Sequence, residues 1–223
     1  MTPRPPLSLI VPVGPGEHDL PHVLSGIDGL PASWEIIVSL SQGSKLPLPA
    51  RCRRVEGSAG RGLQLNRGIA AATGRWLWLL HADSVPDGAA IAGVDEQKNR
   101  NAAEIGYCDL RFQADGPRLA SLNALGANCR SRWFNLPYGD QGYCVRRKDV
   151  ERLGGFREDL TRGEDLDFVI RGRRSGLTLR RLGGTITTSA RRYRSQGWLR
   201  TTVAHQIAAF RLIRAARRNP VVR

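Results

Sequence analysis

The stretch of sequence that decides the fold runs from Gly57 to Asp83 and reads GSAGRGLQLNRGIAAATGRWLWLLHAD. Glycine residues open it, a run of helix-forming residues follows and closes at Gly74, and the apolar segment RWLWLL then ends in polar residues. This order predicts a helix that leads into a buried strand. Ligands of parallel α/β sheets bind beyond the carboxyl ends of the strands, so His81 and Asp83 are the first candidates for a functional site.

Segments on either side continue the same pattern. Apolar runs at 7–13 and 34–40, with a short one at 53–55, predict three strands, and 17–30 has helical spacing. This alternation predicts a parallel sheet with helices on both faces. Further along, strand patterns occur in GYCDLRFQ, GYCVRR and LTLRRLGGTITTSARRY, and helical patterns cover 117–134, RGEDLDFVIRGRRSG and 198–218.

Size and charge narrow the class of protein. The chain has 223 residues, which suits one sizeable α/β or α+β domain, and its 41% hydrophobic and 24% charged residues exclude disorder, collagen and coiled coil. The net charge is +14, and 14 arginine residues but no acidic residue follow Asp167. This excess indicates an anionic partner, which is a nucleotide phosphate, a lipid headgroup or a nucleic acid. Nucleic acid is the weakest of these, because no aromatic residues are interleaved with the arginines as single-strand binding requires.

Cysteine spacing and hydropathy bear on location. The four cysteines form no C-x-x-C pair, so neither a zinc site nor a redox dithiol is indicated. No stretch approaches 18 consecutive apolar residues, and the apolar run near the N-terminus is too short for a signal peptide. We therefore expect a cytoplasmic protein. The basic helix at 198–218 has an apolar stripe of Leu199, Val203, Ile207 and Phe210, which either contacts an anionic membrane at its inner face or, as is more usual, packs on its own domain.

Two motifs in the first half are candidates for chemistry, and each has a structural alternative. Asp83 suits a Mg²⁺ or Mn²⁺ ion that holds a diphosphate, but it would equally cap a helix that begins near Pro86. The segment Gly57–Gly68 lacks both the P-loop and the dinucleotide-binding pattern. Its glycine-rich helix start beside Arg61 still suits an anion, although a plain turn has the same composition.

Two further motifs lie in the second half. The turn Pro137–Gly142 contains Asp140 and Gln141, which suit a hydroxylated substrate, although an Asx turn has the same composition. Glu164 and Asp165 stand at a predicted helix start. One of them can serve as a general base, or both can simply favour the helix through its dipole.

The order of these pieces resembles the family 2 glycosyltransferases of the GT-A fold, and within them a small bacterial subgroup with a HAD motif in place of the usual acidic metal motif. The matching segments cover most of 7–215 and are LSLIVPV, GRGLQLNRGIAAATGRWLWLLHADS, LPYGDQGYCVRR, LGGFREDLTRGEDLDFVIRGRRSG and TSARRYRSQGWLRT. The resemblance implies a mostly parallel, Rossmann-like sheet with helices on both faces. It also implies a single domain with a nucleotide-binding half (7–85), a mixed acceptor and catalytic half (104–195) and a basic C-terminal helix (198–218).

The resemblance further implies a function with assigned residues. An inverting enzyme of this kind transfers a hexose from a nucleoside-diphosphate sugar to a hydroxyl acceptor, with Asp165 as general base, Glu164 beside it in the catalytic motif, and Mn²⁺ or Mg²⁺ at Asp83. The residues implied to bind the donor nucleotide are Pro12, Val13, Glu17, Gly60, Arg61, Gln64, Asn66, His81, Ala82 and Asp83. Those implied to contact the leaving diphosphate are Arg191 and Arg192, and those implied to contact the sugar or the acceptor are Tyr138, Gly139, Asp140 and Gln141.

Two departures from the family pattern leave a second function open. Members usually carry an acidic residue just after the second strand, where this chain has only VSLSQGS at 38–44. The common N-E-E after the first strand is replaced by Gly14–Glu17, which contains one acid. The alternative is therefore a catalytically inactive, glycosyltransferase-like protein that binds an acidic partner or a membrane surface.

Overall fold

A single mixed sheet organises the part of the chain that the computed structural model describes, which is residues 5–15, 29–100 and 102–218. Within these residues the sheet has eight strands in the order β3-β2-β1-β4-β7-β6-β8-β5. The strands are β1 (Leu7–Val13), β2 (Glu35–Ser41), β3 (Cys52–Gly57), β4 (Trp76–Leu79), β5 (Ser84–Pro86), β6 (Glu104–Phe112), β7 (Tyr143–Arg146) and β8 (Thr178–Thr188).

Helices connect and cover these strands. They are α1 (Arg61–Ala71), α2 (Gly88–Arg100), α3 (Ala120–Phe134), α4 (Arg147–Arg152), α5 (Glu164–Arg174), α6 (Arg191–Gln196) and α7 (Trp198–Arg218), and a short 3₁₀ turn spans Gly139–Gln141. Helices α1, α4 and α5 pack on one face of the sheet, where Leu65, Val150 and Phe168 join one core cluster. Helix α2 covers the opposite face through Ala90 and Val94. Apolar cores on both faces bury all of β1 and all of β2 except its two end residues, as parallel strands in α/β proteins are.

The direction of the strands decides which loops meet. Strands β1 to β4 are mutually parallel, and β6 and β8 are parallel to each other. Strand β7 runs antiparallel to β4, with Leu79 opposite Tyr143. Because β7 is reversed, the residues that precede it lie at the same edge as the residues that follow β4. The HAD segment and the turn before β7 are therefore neighbours, although about sixty positions separate them in sequence.

The predicted fold class is confirmed, with differences in detail. The predicted strands and helices are present, except that most of the predicted helix at 17–30 lies outside the described residues. Strand β5 and helix α4 were not predicted. Arg191 and Arg192 lie on helix α6, whereas the sequence pattern placed them in a strand-forming segment. Asp83 does not cap the next helix. Asp87 does so, because its Oδ1 accepts a hydrogen bond from the Ala90 N–H at 2.8 Å.

The surface of α7 also differs from expectation. Its apolar stripe does not pack on the domain, since Leu199 and Phe210 are 65% and 64% exposed. Instead the opposite side of the helix carries the buried residues Thr201 and Ala209. No helix within the described ranges is both long and apolar enough to cross a bilayer.

Candidate active site

Gly139 is the point at which the candidate side chains meet. A Cβ atom at this position would lie 2.9 Å from Arg61 Nη2, 3.0 Å from His81 Nε2 and 3.1 Å from Asp165 Cβ. The fold thus brings together the start of α1, the end of β4, the turn before β7 and the start of α5. The missing side chain of Gly139 leaves room for this close approach. Gly60, which precedes α1, has φ at 138°, a backbone conformation that favours glycine.

Asp165 is held at the start of α5 by two backbone donors. Its Oδ2 accepts a hydrogen bond from the Gly139 N–H at 2.7 Å, and its Oδ1 accepts one from the Leu166 N–H at 2.8 Å. The residue at the N-cap of this helix is Gly163, and no side chain caps it. Asp165 therefore does not serve as the N-cap of α5. The carboxylate is partly exposed and fixed in orientation, as a group that must meet a substrate requires.

Glu164 has a different environment. Its side chain is buried, and its Oε1 lies 2.9 Å from the Nε of Arg61, which is about one-third exposed. Burial raises the pKa of Glu164, the Arg61 charge opposes this increase, and the neighbouring Asp165 charge adds to it. The contact holds the guanidinium of Arg61 at the mouth of the site.

Asp140 lies among charges of both signs. Burial is the main cause that raises the pKa of Asp140 to about 6, the Asp165 charge raises it further, and Arg130 and Arg61 oppose the increase. Its Oδ1 is buried and has no hydrogen-bond partner among the described residues. A buried acceptor with no partner is costly and is a characteristic of a position that a ligand fills.

His81 supplies a neutral group to the same site. Burial, with the Arg61 and Arg192 charges in support, holds the pKa of His81 well below its usual range. The imidazole is therefore uncharged near neutral pH, and its buried Nε2 has no hydrogen-bond partner within the described part of the chain. The influence of Arg192 also shows that the start of α6 lies close enough to contribute positive charge.

Asp83 is oriented by the last residue of β8. Thr188 Oγ1 donates a hydrogen bond to Asp83 Oδ1 at 3.1 Å, and Ser84 Oγ lies 3.0 Å from Thr188 Oγ1. Among the described residues, no three His, Cys, Asp or Glu side chains form a group that could hold a metal ion. Mg²⁺ bound to a nucleotide takes most of its ligands from phosphate and water and needs only one or two protein carboxylates. Asp83 fits that lesser role.

Three predicted site residues have side chains engaged in the protein itself. Gln64 donates through its Nε2 to the carbonyl oxygens of Val13 and Ser39, which ties α1 to the ends of β1 and β2. Asn66 forms a reciprocal pair with the backbone of Phe156, at 2.8 Å in each direction. Gln141 is fully buried, accepts from Ser131 Oγ at 2.6 Å and donates to the Cys108 carbonyl at 3.0 Å. These contacts position the walls of the site.

The remaining predicted residues flank the site or lie outside it. Pro12, Val13 and Ala82 are buried at the strand ends, and the Arg191 N–H, at the start of α6, donates to Ser189 Oγ. Tyr138 lies under the guanidinium of Arg130, which is 3.3 Å from the centre of the ring. Glu17 lies outside the described residues.

Sequence reasoning missed two contributors. Arg130 is the third-largest influence on the pKa of Asp140, and Thr188 orients Asp83. Arg130 comes from the last third of α3 and Thr188 from the last position of β8, and neither was assigned a role in the site from the sequence. The pairing of β8 with β5 and with β6, which sets Thr188 opposite Ser84 and Phe112, brings Thr188 to this edge.

Comparison with known proteins agrees with the fold. The model of the family described as "Glycosyl transferase family 2" matches residues 28–156, which is more than half of the chain. The chain therefore belongs to glycosyl transferase family 2. No curated protein matches it.

Solved structures resemble the fold at low sequence identity. The mannosyltransferase PcManGT from Pyrobaculum calidifontis, in complex with GDP-Man and Mn²⁺, is 19% identical with a TM-score of 0.63. The similarity covers 83% of this chain and 57% of that one. Residues 1–349 of S. aureus TarS, in complex with UDP-GlcNAc, are 13% identical with a TM-score of 0.64, and the similarity covers 82% of this chain and 58% of that one. This chain thus spans less than two thirds of the length of either neighbour.

Proposed function

We propose that the protein transfers a sugar from a nucleoside-diphosphate sugar to a hydroxyl group, with inversion at the anomeric carbon. The observation that carries this proposal is the meeting of Arg61, His81 and Asp165 around Gly139, at the carboxyl edge of the parallel strands. The two structural neighbours bind GDP-Man and UDP-GlcNAc, which supports a nucleotide-sugar donor here. The acceptor is assigned only as a hydroxyl compound.

In this proposal Asp165 is the general base. It takes the proton of the acceptor hydroxyl as the oxygen attacks the anomeric carbon and the bond to the diphosphate breaks. The backbone donors from Gly139 and Leu166 hold its carboxylate in one orientation. Glu164 is buried against Arg61, so its contribution is to position that guanidinium rather than to accept the proton.

Positive charge at the opposite side of the site stabilises the leaving group. Arg61 and Arg192, whose charges both act on His81, are placed to meet the diphosphate as its negative charge increases. A neutral His81 can donate or accept a hydrogen bond without adding a charge. When bound, a Mg²⁺ or Mn²⁺ ion at Asp83 supplies further neutralisation of the diphosphate. The neighbour that contains Mn²⁺ supports this assignment.

Asp140 is assigned to the transferred sugar or the acceptor. Its unpartnered Oδ1 suits a sugar hydroxyl, which would supply the missing donor. Tyr138 and Gly139 form the adjoining wall. The single-domain organisation into a nucleotide-binding half (7–85), an acceptor half (104–195) and a C-terminal helix (198–218) follows from this assignment.

We also propose a cytoplasmic location. In the described part of the chain Cys108, Cys129 and Cys144 are thiols that form no disulfide, as expected in a reducing compartment. The second function, an inactive protein that only binds a partner, is supported by the lack of an acidic residue in 38–44. The two functions differ in whether any donor is turned over.

Donor hydrolysis tests the proposal without knowledge of the acceptor, because water can replace the acceptor at a low rate. The purified protein is incubated with UDP-, GDP-, CDP-, dTDP- and ADP-sugars and Mn²⁺, and the anomeric proton of the released sugar is followed by NMR. We expect one donor to release the sugar with inverted configuration before mutarotation. Release with retained configuration would contradict the inverting mechanism, and no release from any donor would favour the inactive protein.

A further inference from the structure

Helix α3 has its large apolar residues on the wrong side for a core helix. The residues that it buries against the domain are small and include Ala120, Ala124 and Ala127. Leu122, Leu125 and Trp133 lie on the opposite side of the helix and are 56%, 61% and 75% exposed. Helical spacing puts these large residues on one stripe that faces outward. No other part of the described chain covers this stripe.

Helix α7 repeats this arrangement beside it. Its stripe of Leu199, Val203, Ile207 and Phe210 also faces outward. Two hydrogen bonds join the helices, since Trp198 Nε1 donates to Asn123 Oδ1 and Asn123 Nδ2 donates to Thr202 Oγ1, both at 2.8 Å. The nine large apolar side chains that are strongly exposed in the described ranges all lie on these two helices or one residue before α3. They form one surface, which we call the α3/α7 surface.

Basic side chains dominate the charge around the α3/α7 surface. The sequence has no acidic residue from Gly116 to Gly139 and none after Asp167. Arg118, which precedes α3, and Arg200 and Arg214 on α7 are exposed, whereas Arg132 of α3 pairs with Asp109 of β6 at 2.7 Å. Large apolar side chains interleaved with arginine, with no acid, are the composition by which helices bind at the interface of an anionic membrane.

We propose that the α3/α7 surface docks the protein on an anionic lipid membrane. The apolar stripes enter the boundary between headgroups and acyl chains, and the arginine residues contact lipid phosphate. A protein partner would need to be both apolar and acidic over the same area, and a second copy of this chain would bring like charges together. The lipid surface satisfies the apolar and the basic components at once.

Docking by this surface also places the candidate active site near the membrane. Arg130 of α3 stacks on Tyr138, and a Cβ at Gly163, next to Glu164, would contact Leu212 of α7. Both helices therefore contact the walls of the site. On the proposed function, which this step assumes, the acceptor hydroxyl is carried by a membrane lipid.

Vesicle co-sedimentation tests the docking directly, without donor or metal. We expect the full chain to sediment with vesicles of about 30% phosphatidylglycerol in phosphatidylcholine at low salt, and to bind pure phosphatidylcholine much less. Leu122→Glu and Phe210→Glu should each weaken binding by at least about tenfold, because each removes an inserted side chain. Ala92→Glu on the exposed side of α2 adds the same charge away from the surface and should have little effect.

Three results would overturn the docking proposal. The first is absence of binding to anionic vesicles at low salt. The second is binding by Leu122→Glu and Phe210→Glu that is as strong as binding by the parent chain. The third is a dimer, detected by light scattering, that these substitutions dissociate. Melting temperatures of both variants near that of the parent chain establish that they are folded. The lipid acceptor is tested by turnover, which vesicles made from a bacterial total lipid extract should stimulate in the parent chain but not in Phe210→Glu; no stimulation of the parent chain would overturn the lipid acceptor. Donor hydrolysis in water should be equal in the parent chain and in Phe210→Glu. Absence of hydrolysis in both would count against the proposed function and not against docking.

Discussion

The polar side chains of α1 and those at the start of α5 stand at the same edge of the sheet but have different partners. Gln64 and Asn66 of α1 bind backbone groups of strands and loops, and so fasten the helix to the domain. Asp165, at the start of α5, and Asp140, nearby in the turn before β7, lie together, and the latter has an unpartnered buried oxygen. Polar residues at a ligand-binding edge therefore divide into those that build the site and those that face the ligand.

Arg61 connects the two regions. It begins α1, but its guanidinium pairs with Glu164 of α5. The comparison predicts that changes at Asp165 or Arg61 alter turnover or ligand binding, whereas a change at Asn66 alters stability alone.

The largest effect is expected at Asp165. Asp165→Asn keeps the size of the side chain but removes the proton acceptor, so turnover should fall by about 10²-fold or more while nucleotide binding remains. Asp159→Asn, on an exposed loop residue that pairs with Arg157, is the matched control and should keep parent activity. Turnover by Asp165→Asn close to that of the parent chain would contradict the assignment of Asp165 as the general base.

Arg61→Met should weaken nucleoside-diphosphate binding by about tenfold or more, because a charge that faces the diphosphate is lost. It also leaves Glu164 buried without its cation, so the melting temperature should fall at neutral pH. Adding Glu164→Gln should restore much of the stability but none of the binding. Calorimetric titration and thermal melts separate the two effects, and recovery of binding in the double variant would contradict the role of Arg61.

Asn66→Ala should lower the free energy of unfolding by about 2 kcal/mol, because the buried backbone groups of Phe156 lose their partners. Turnover per folded molecule should change little. Asn99→Ala, at an exposed position on α2, controls for loss of an amide. A selective loss of nucleotide affinity in Asn66→Ala, with stability unchanged, would contradict this structural role and indicate that Asn66 contacts the nucleotide.

The smallest effect is a pH dependence at Asp140. Burial and the Asp165 charge raise the pKa of Asp140 from 3.8 to about 6, so the folded state favours the protonated form. The stability associated with that form is present below about pH 4 and is lost as pH increases through about 6. Asp140→Asn avoids this loss, so its stability relative to the parent chain should increase by about 3 kcal/mol between pH 4 and pH 8. Denaturant unfolding at both pH values measures it, and a pH-independent difference would contradict the shifted pKa.

The sequence was informative where pattern is local. The apolar run of β1 and the helix-forming segment of α1 predicted their elements, and their order predicted the parallel half of the sheet. Asp83, Asp140 and Asp165 were singled out because each follows or precedes a recognisable strand or helix. Their proximity required the direction of β7, which no local pattern contains.

The partners of individual side chains could not be predicted from the same patterns. Gln64 and Gln141 are polar residues in motifs, yet the fold buries both, and only tertiary contacts decide that their amides meet backbone carbonyls. The outward stripe of α7 illustrates the same limit. Its periodicity indicated an amphipathic helix, but the side that faces the domain is decided by packing against α3 and α5.

Nucleotide binding tests the central claim most directly, because both the turnover and the site assignments depend on it. Thermal melts are recorded with UDP, GDP, CDP, dTDP and ADP, each with and without Mn²⁺ or Mg²⁺. A ligand at about 100 times its dissociation constant adds about 2.7 kcal/mol, which for a chain of this size is roughly 5 to 10 °C. We predict that one nucleotide gives such a shift, that metal increases it, and that Arg61→Met lacks it. No shift with any nucleotide would contradict a nucleotide-sugar transferase and would support the inactive binding protein.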